Sequence, residues 1–147
     1  MITFLSVFID LIINNIIKRN SLFLPLFSLM SILFIEKKDK YKYLLKVSII
    51  GIIYDIFYSN FYILNGIIFF LLGLITYYFY KKYKPSIIIN TLYALFLIVS
   101  YQLLLFLIYN ITKYRIINIS ELIFIIYHYL IINIIYVLIM SIIRKRT

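Results

Sequence analysis

A chain of 147 residues that is 65% hydrophobic, only 14% charged and has a mean hydropathy of +1.07 carries more apolar surface than a soluble domain of this size buries. The absence of cysteine excludes a disulfide framework, thiol chemistry and any cysteine-based metal site. The net charge of +10 does not point to nucleic acid, because the basic residues fall in short clusters at the ends of apolar runs, as anchors beside anionic lipid headgroups do.

The heavy use of Ile, Asn, Lys and Tyr resembles that of an AT-rich genome, so the 16 tyrosines and 13 phenylalanines are read as partly drift and not as a stacking platform or an aromatic cage. No basic region precedes the first apolar run and no small-residue cleavage site follows it, so a cleaved signal peptide is not expected.

In chain order, the first apolar run covers residues 2–17 and ends at Lys18, Arg19 and Asn20; the second covers 21–35 and ends at Glu36 to Lys40. Each is shorter than the roughly 20 residues that cross a hydrocarbon core comfortably. As a helix the second reaches about 22 Å, so it is expected to thin the bilayer, stand untilted among neighbours or be re-entrant. Pro25 falls in its first turn or so, where a missing N–H costs little.

The third run covers 44–58 and leads into an uncharged turn, Ser59 to Tyr62. The fourth, 63–80, stops at Lys81, Lys82 and Lys84, and Pro85 is expected to begin the next helix. The fifth covers 86–109. A polar connection, Asn110 to Ser120, follows, with Ser120 expected as N-cap of the sixth run, 121–143.

The reading is all-α: one integral membrane domain over 1–147, polytopic, with six transmembrane helices. With both termini inside, the inner side holds Lys37, Lys38, Lys40, Lys42, Lys46, Lys81, Lys82, Lys84, Arg144, Lys145 and Arg146. The outer side holds only Lys18, Arg19, Lys113 and Arg115. The positive-inside rule therefore selects N-in, C-in.

An acid at the bilayer centre costs about 2.5–3.5 kcal/mol on insertion scales, so intramembrane carboxylates need a reason. Asp55 stands near the outer end of the third run, with Gly51 one turn earlier on the same face. Two roles suit it: a polar anchor for an outer cavity or a partner's helix beside a close approach at Gly51, or a cap on the amides of Tyr58 to Asn60. Asp10 and Asn14 lie one turn apart on the first run and suit a hydrogen-bonded pair facing the bundle, with a proton relay as the sharper alternative.

Gly66, Gly73 and Thr76 share a face of the fourth run, suited to internal packing or, second, to a dimer contact. Glu121 and His128 share a face of the sixth, where a buried histidine bonded to a neighbour is expected. Ser100, Gln102 and Asn133 suit ordinary interhelical hydrogen bonding. One histidine with scattered acids is too few for a metal site. No cofactor motif and no nucleophile–base arrangement is present, and no enzyme is expected.

The length, the N-in topology, the Gly51-x-x-x-Asp55 helix, the tight hairpin ending Leu64-Asn65-Gly66 and the span containing Gly73 resemble the rod shape-determining protein MreD family. The motifs cover about thirty residues around that hairpin. Family members often carry a glycine a few residues earlier, where Ile63 or its neighbours stand here.

The resemblance implies a non-catalytic scaffold of the bacterial inner membrane. Such proteins work with the bitopic protein MreC and link MreB filaments to the wall-elongation synthases, maintaining cell shape during peptidoglycan synthesis. It also implies a fold similar to the substrate-binding S components of energy-coupling-factor vitamin transporters, which supply the alternative function. Against that alternative, the chain has no tryptophan and few polar residues near its outer ends to line a vitamin cavity. A holin-like pore, the third class, would need neither the hairpin motif nor six spans.

Overall fold

The computed structural model describes residues 2–17, 26–58, 63–113 and 116–146, the side chains of Asn14 and a few others near helix ends excepted. Among these residues every regular element is a helix: α1 (Ile2–Ile17), α2 (Phe27–Ser31), α3 (Lys40–Tyr58), α4 (Leu64–Lys82), α5 (Ile87–Ile111) and α6 (Ile119–Arg146). Packing is most extensive within consecutive pairs, α1 with α2, α3 with α4, and α5 with α6. The chain thus forms three successive helical pairs.

Helices α4, α5 and α6 are long and apolar enough to cross a membrane. The 19 residues of α4 reach about 28 Å and the 25 of α5 about 37 Å. Large apolar side chains stand exposed along all three, such as Ile67, Leu71, Leu92, Phe96, Ile131 and Ile135. Outward apolar faces of this extent suit lipid as the solvent.

The second run departs from a single helix over 21–35. Of its described residues only Phe27–Ser31 are α-helical, a rise of about 7.5 Å. The chain then tightens into i→i+3 bonds, from Ile32 to Leu29 at 3.3 Å, Leu33 to Met30 at 3.2 Å and Phe34 to Ser31 at 3.0 Å. Ser31 donates its hydroxyl to the Ser28 carbonyl at 2.7 Å, a local bond that competes with continued helix. This short element is nevertheless the centre of the molecule. Leu26, Leu29, Met30, Ile32 and Leu33 are buried where α2 packs on α1, α3, α5 and α6, and belong to one core cluster with Val47, Phe69, Leu72, Leu97 and Val137.

Three helix starts differ from expectation. Helix α3 begins at Lys40, four residues before the apolar run, because Asp39 caps it by accepting from the amides of Tyr41 at 3.0 Å and Lys42 at 3.3 Å. Pro85 precedes the cap instead of opening α5: Ser86 is the N-cap, and its hydroxyl accepts from the Ile89 amide at 3.2 Å. Helix α6 starts at Ile119, which places Ser120 inside the helix; Asn118 flanks the start, and its carbonyl accepts from Leu122 at 3.0 Å.

Candidate functional site

The sequence motif of the third and fourth runs closes on itself. A Cβ added at Gly51 would stand 2.5 Å from the Asn65 carbonyl oxygen and 2.8 Å from the Gly66 Cα, so only glycine lets α3 meet the first turn of α4 backbone to backbone. One helical turn further along α3, Asp55 reaches the same turn. Its Oδ2 accepts from the amides of Asn65 at 2.7 Å and Gly66 at 3.1 Å, and its Oδ1 accepts from the Asn65 side-chain amide at 2.8 Å.

Helix α4 has no side-chain cap of its own, since the residue at its N-cap position is Ile63. Asp55 supplies that cap from the neighbouring helix, against the positive end of the α4 dipole. The described amides that Asp55 caps lie ten and eleven residues after it, and the expected cap on Tyr58 to Asn60 falls largely outside the described residues. Ser59 to Tyr62 themselves lie outside the described residues.

The network continues into α5. Asn65 Oδ1 accepts from the Tyr101 hydroxyl at 2.7 Å, so one carboxylate and one carboxamide join α3, α4 and α5. Asp55, Asn65 and Tyr101 are all buried. Further along the pair, a Cβ at Gly73 would meet Val47 at 2.9 Å, so the glycine that the sequence places on this face packs internally. Thr76 donates to the Leu72 carbonyl of its own helix at 2.6 Å. All five motif residues, Gly51, Asp55, Asn65, Gly66 and Gly73, thus lie in the α3–α4 contact.

Asp10 does the equivalent for α2. It is fully buried, and its two oxygens accept from the amides of Phe27 at 3.2 Å and Ser28 at 2.7 Å. The preceding amide, Leu26, donates to Asn133 Oδ1 on α6 at 3.1 Å. Beside them Ser6 and the Tyr136 hydroxyl are 2.5 Å apart, and Phe27 stacks on Tyr136. This cap is the described role of Asp10, and the expected pairing with Asn14 falls on a side chain outside the described residues.

His128 is half-exposed instead of buried. Its Nδ1 bonds the Phe124 carbonyl one turn earlier on α6 at 2.8 Å, and its ring packs on Phe124.

A second cluster escapes the sequence reading. Lys37 donates to the carbonyls of Leu33 at 2.7 Å and Ile35 at 3.2 Å, beyond the end of α2. Its ammonium lies 4.4 Å from the Tyr80 ring centroid and 5.5 Å from that of Tyr43. Burial, and secondarily Arg144, push this ammonium down to about 7. Tyr80 donates to Asn90 Oδ1 at 2.5 Å, and Asn90 donates to the Ser141 hydroxyl at 3.1 Å, which ties α4 to α5 and α6. Tyr77, Phe79 and Tyr93 extend the aromatic contacts. Four of the sixteen tyrosines, Tyr43, Tyr77, Tyr80 and Tyr93, therefore form an ordered layer. The available signal was the i,i+3 spacing of Tyr77 and Tyr80 beside a lysine-rich end.

Chemically, the arrangement binds backbone. Both aspartates act as acceptors for helix-start amides, and Lys37 as a donor to carbonyls at a helix end. The fold and site define an all-helical protein with three helices suited to crossing a membrane and with charged side chains as internal caps. No protein-family model, curated protein or solved structure matches the chain.

Proposed function

We propose that the chain is a non-catalytic scaffold of the bacterial cell-elongation machinery, working in the inner membrane beside an MreC-like bitopic protein and wall-elongation synthases, and indirectly beside MreB-like filaments. In this reading six segments cross the bilayer with both termini inside. The second crossing is the broken one built on α2. Irregular backbone at membrane depth is tolerated where protein shields it, and residues 26–35 are buried throughout.

Several of their backbone groups also find partners: Asp10 and Asn133 on the first amides, Tyr43 on the Ile32 carbonyl at 3.3 Å, and Lys37 on the carbonyls of Leu33 and Ile35. Arg144, at the end of α6, is close enough to Lys37 and Glu36 to act on both. Lys40, at the start of α3, bonds Tyr78 near the end of α4. These contacts support placing the basic clusters on one side.

The observation that carries the reading is the closed α3–α4 clasp. Gly51, Asp55, Asn65 and Gly66, the residues of the MreD-like motif, are matched to one another within the bundle. That is the arrangement of a rigid scaffold, whereas a vitamin-binding subunit needs polar groups converging on a cavity. Affinity purification from detergent-solubilised membranes tests it. A single-span, coiled-coil membrane protein is expected to co-purify. Recovery of an ATPase-coupled membrane subunit instead, or tight binding of a vitamin, would sink the scaffold reading.

A further inference from the structure

We propose that the rim formed by the start of α3 and the end of α4 binds the headgroup of an anionic phospholipid, with the phosphate between Lys40 and Lys81 and an acyl chain along α4. The proposal rests on the membrane reading alone and not on the scaffold role.

Lys40 Nζ donates to the Tyr78 hydroxyl at 2.8 Å and lies 4.9 Å from the centroid of its ring. Lys81 follows Tyr78 by one turn on α4, near enough to interact electrostatically with the same hydroxyl. Because that hydroxyl accepts from Lys40, its own proton is left to donate. One ammonium and one O–H donor therefore meet at Tyr78, with Lys81 one turn along α4, a donor set suited to phosphate oxygens.

The neighbouring acids are engaged elsewhere. Glu36 pairs with Lys38 at 2.8 Å, and Asp39 caps α3 and faces Lys42 at 3.8 Å. Among the described residues neither Lys40 nor Lys81 is paired with a carboxylate.

Depth and apolar surface select a lipid over an acidic protein. Helix α4 matches the roughly 30 Å hydrocarbon core, so Tyr78 and Lys81 fall at headgroup level, where tyrosine and lysine are favoured. From Tyr78 a stripe of exposed apolar side chains, Ile75, Leu71 and Ile67, runs along α4 toward the bilayer centre at helical spacing. A headgroup held at the rim lays its chain on that stripe.

The test uses the full-length protein in nanodiscs of mixed phosphatidylglycerol and phosphatidylcholine, with retained lipid read by native mass spectrometry. The wild type is expected to keep phosphatidylglycerol preferentially. Lys40→Gln and Lys81→Gln are each expected to weaken retention about fivefold, as one basic residue near an anionic surface does. Tyr78→Phe weakens it less, and Lys84→Gln, beyond the helix end, leaves it unchanged.

Tyr78, Lys81 and Lys84 are exposed and Lys40 is partly buried, and a thermal melt confirms that the variants fold. Equal retention of the two lipids, unchanged retention in the double-lysine variant, or complete displacement by millimolar inorganic phosphate would each overturn the site. Alkaline carbonate extraction is read separately. A protein released by it overturns the membrane reading together with the site, whereas an integrated protein without lipid preference overturns the site alone.

Discussion

The two buried aspartates perform the same task under different constraints. Asp55 caps α4, the next helix after a short turn, and the cap is accompanied by Gly51, which brings the two backbones into contact. Asp10 caps α2 across a longer connection, with no glycine beside it, and it needs Asn133 on α6 to complete the first turn. The first is a local clasp within one helical pair; the second is a tertiary junction. The difference follows from what each helix can supply. With 19 residues α4 satisfies most of its own backbone, whereas α2, with five, makes little internal hydrogen bonding and depends on its neighbours at both ends.

Removing the carboxylates is the strongest way to break the comparison. Asp55→Ala strands two amides and the Asn65 side-chain donor in a buried site and is expected to cost about 4 kcal/mol, since each buried donor left unmade costs about 1–3 kcal/mol. Asp55→Asn keeps one acceptor and falls between. Thermal unfolding in detergent, read by circular dichroism, measures both. A full-strength bundle in Asp55→Ala, with only partner recovery impaired, would instead assign the carboxylate to an external contact.

Gly51→Ala follows at about 3 kcal/mol, the upper part of the range for overpacking, because the added carbon meets backbone atoms that cannot rotate away. The same assay reads it. Gly73→Ala is the internal control, since its Cβ meets the Val47 side chain at 2.9 Å and Leu44 at 3.6 Å, and part of that clash can relax.

Asp10→Ala leaves two amides unmade and is expected to cost about 3 kcal/mol, somewhat less than Asp55→Ala. Its signature should differ in place as well as size. Hydrogen exchange is expected to rise over residues 27–34 and in the parts of α6 near Asn133, while the α3–α4 clasp stays protected. Uniform loss of protection across all helices would show that α2 and the clasp are one cooperative unit.

The same contrast explains how much the sequence discloses. The clasp was legible because its parts are rare and close in sequence: the chain has three glycines, two of which bracket a carboxylate inside an apolar run. What escaped was the acceptor's target, since amides ten residues ahead become neighbours only once Gly51 sets the helix approach. Asp10 was legible as an anomaly but not as a cap, because its partners lie seventeen and eighteen residues away and α2 has no periodic signature of its own. Lys37 was not legible at all. It reads as one more lysine among Lys38, Lys40 and Lys42, and only the tertiary placement of Tyr43 and Tyr80 buries it.

Lys37 extends the comparison from helix starts to helix ends and carries the smallest expected effect. It sets a positive group at the carbonyl end of α2 while Asp10 sets a negative one at the amide end, so both complement the dipole of one short helix. Burial nevertheless lowers the affinity of this ammonium for its proton from 10.5 to about 7. Between those values the unfolded chain binds more protons at this site than the folded one does, so the contribution of Lys37 to stability rises with pH across that window and is lowest below it. The neutral amine still donates to Leu33 and Ile35, so the cap survives deprotonation. Lys37→Met removes both the cap and the titration. The melting temperature of the wild type relative to Lys37→Met is therefore expected to climb from pH 7 to pH 10; a flat or falling difference would mean that the two tyrosine rings and the carbonyls hold the charge more strongly than burial disfavours it.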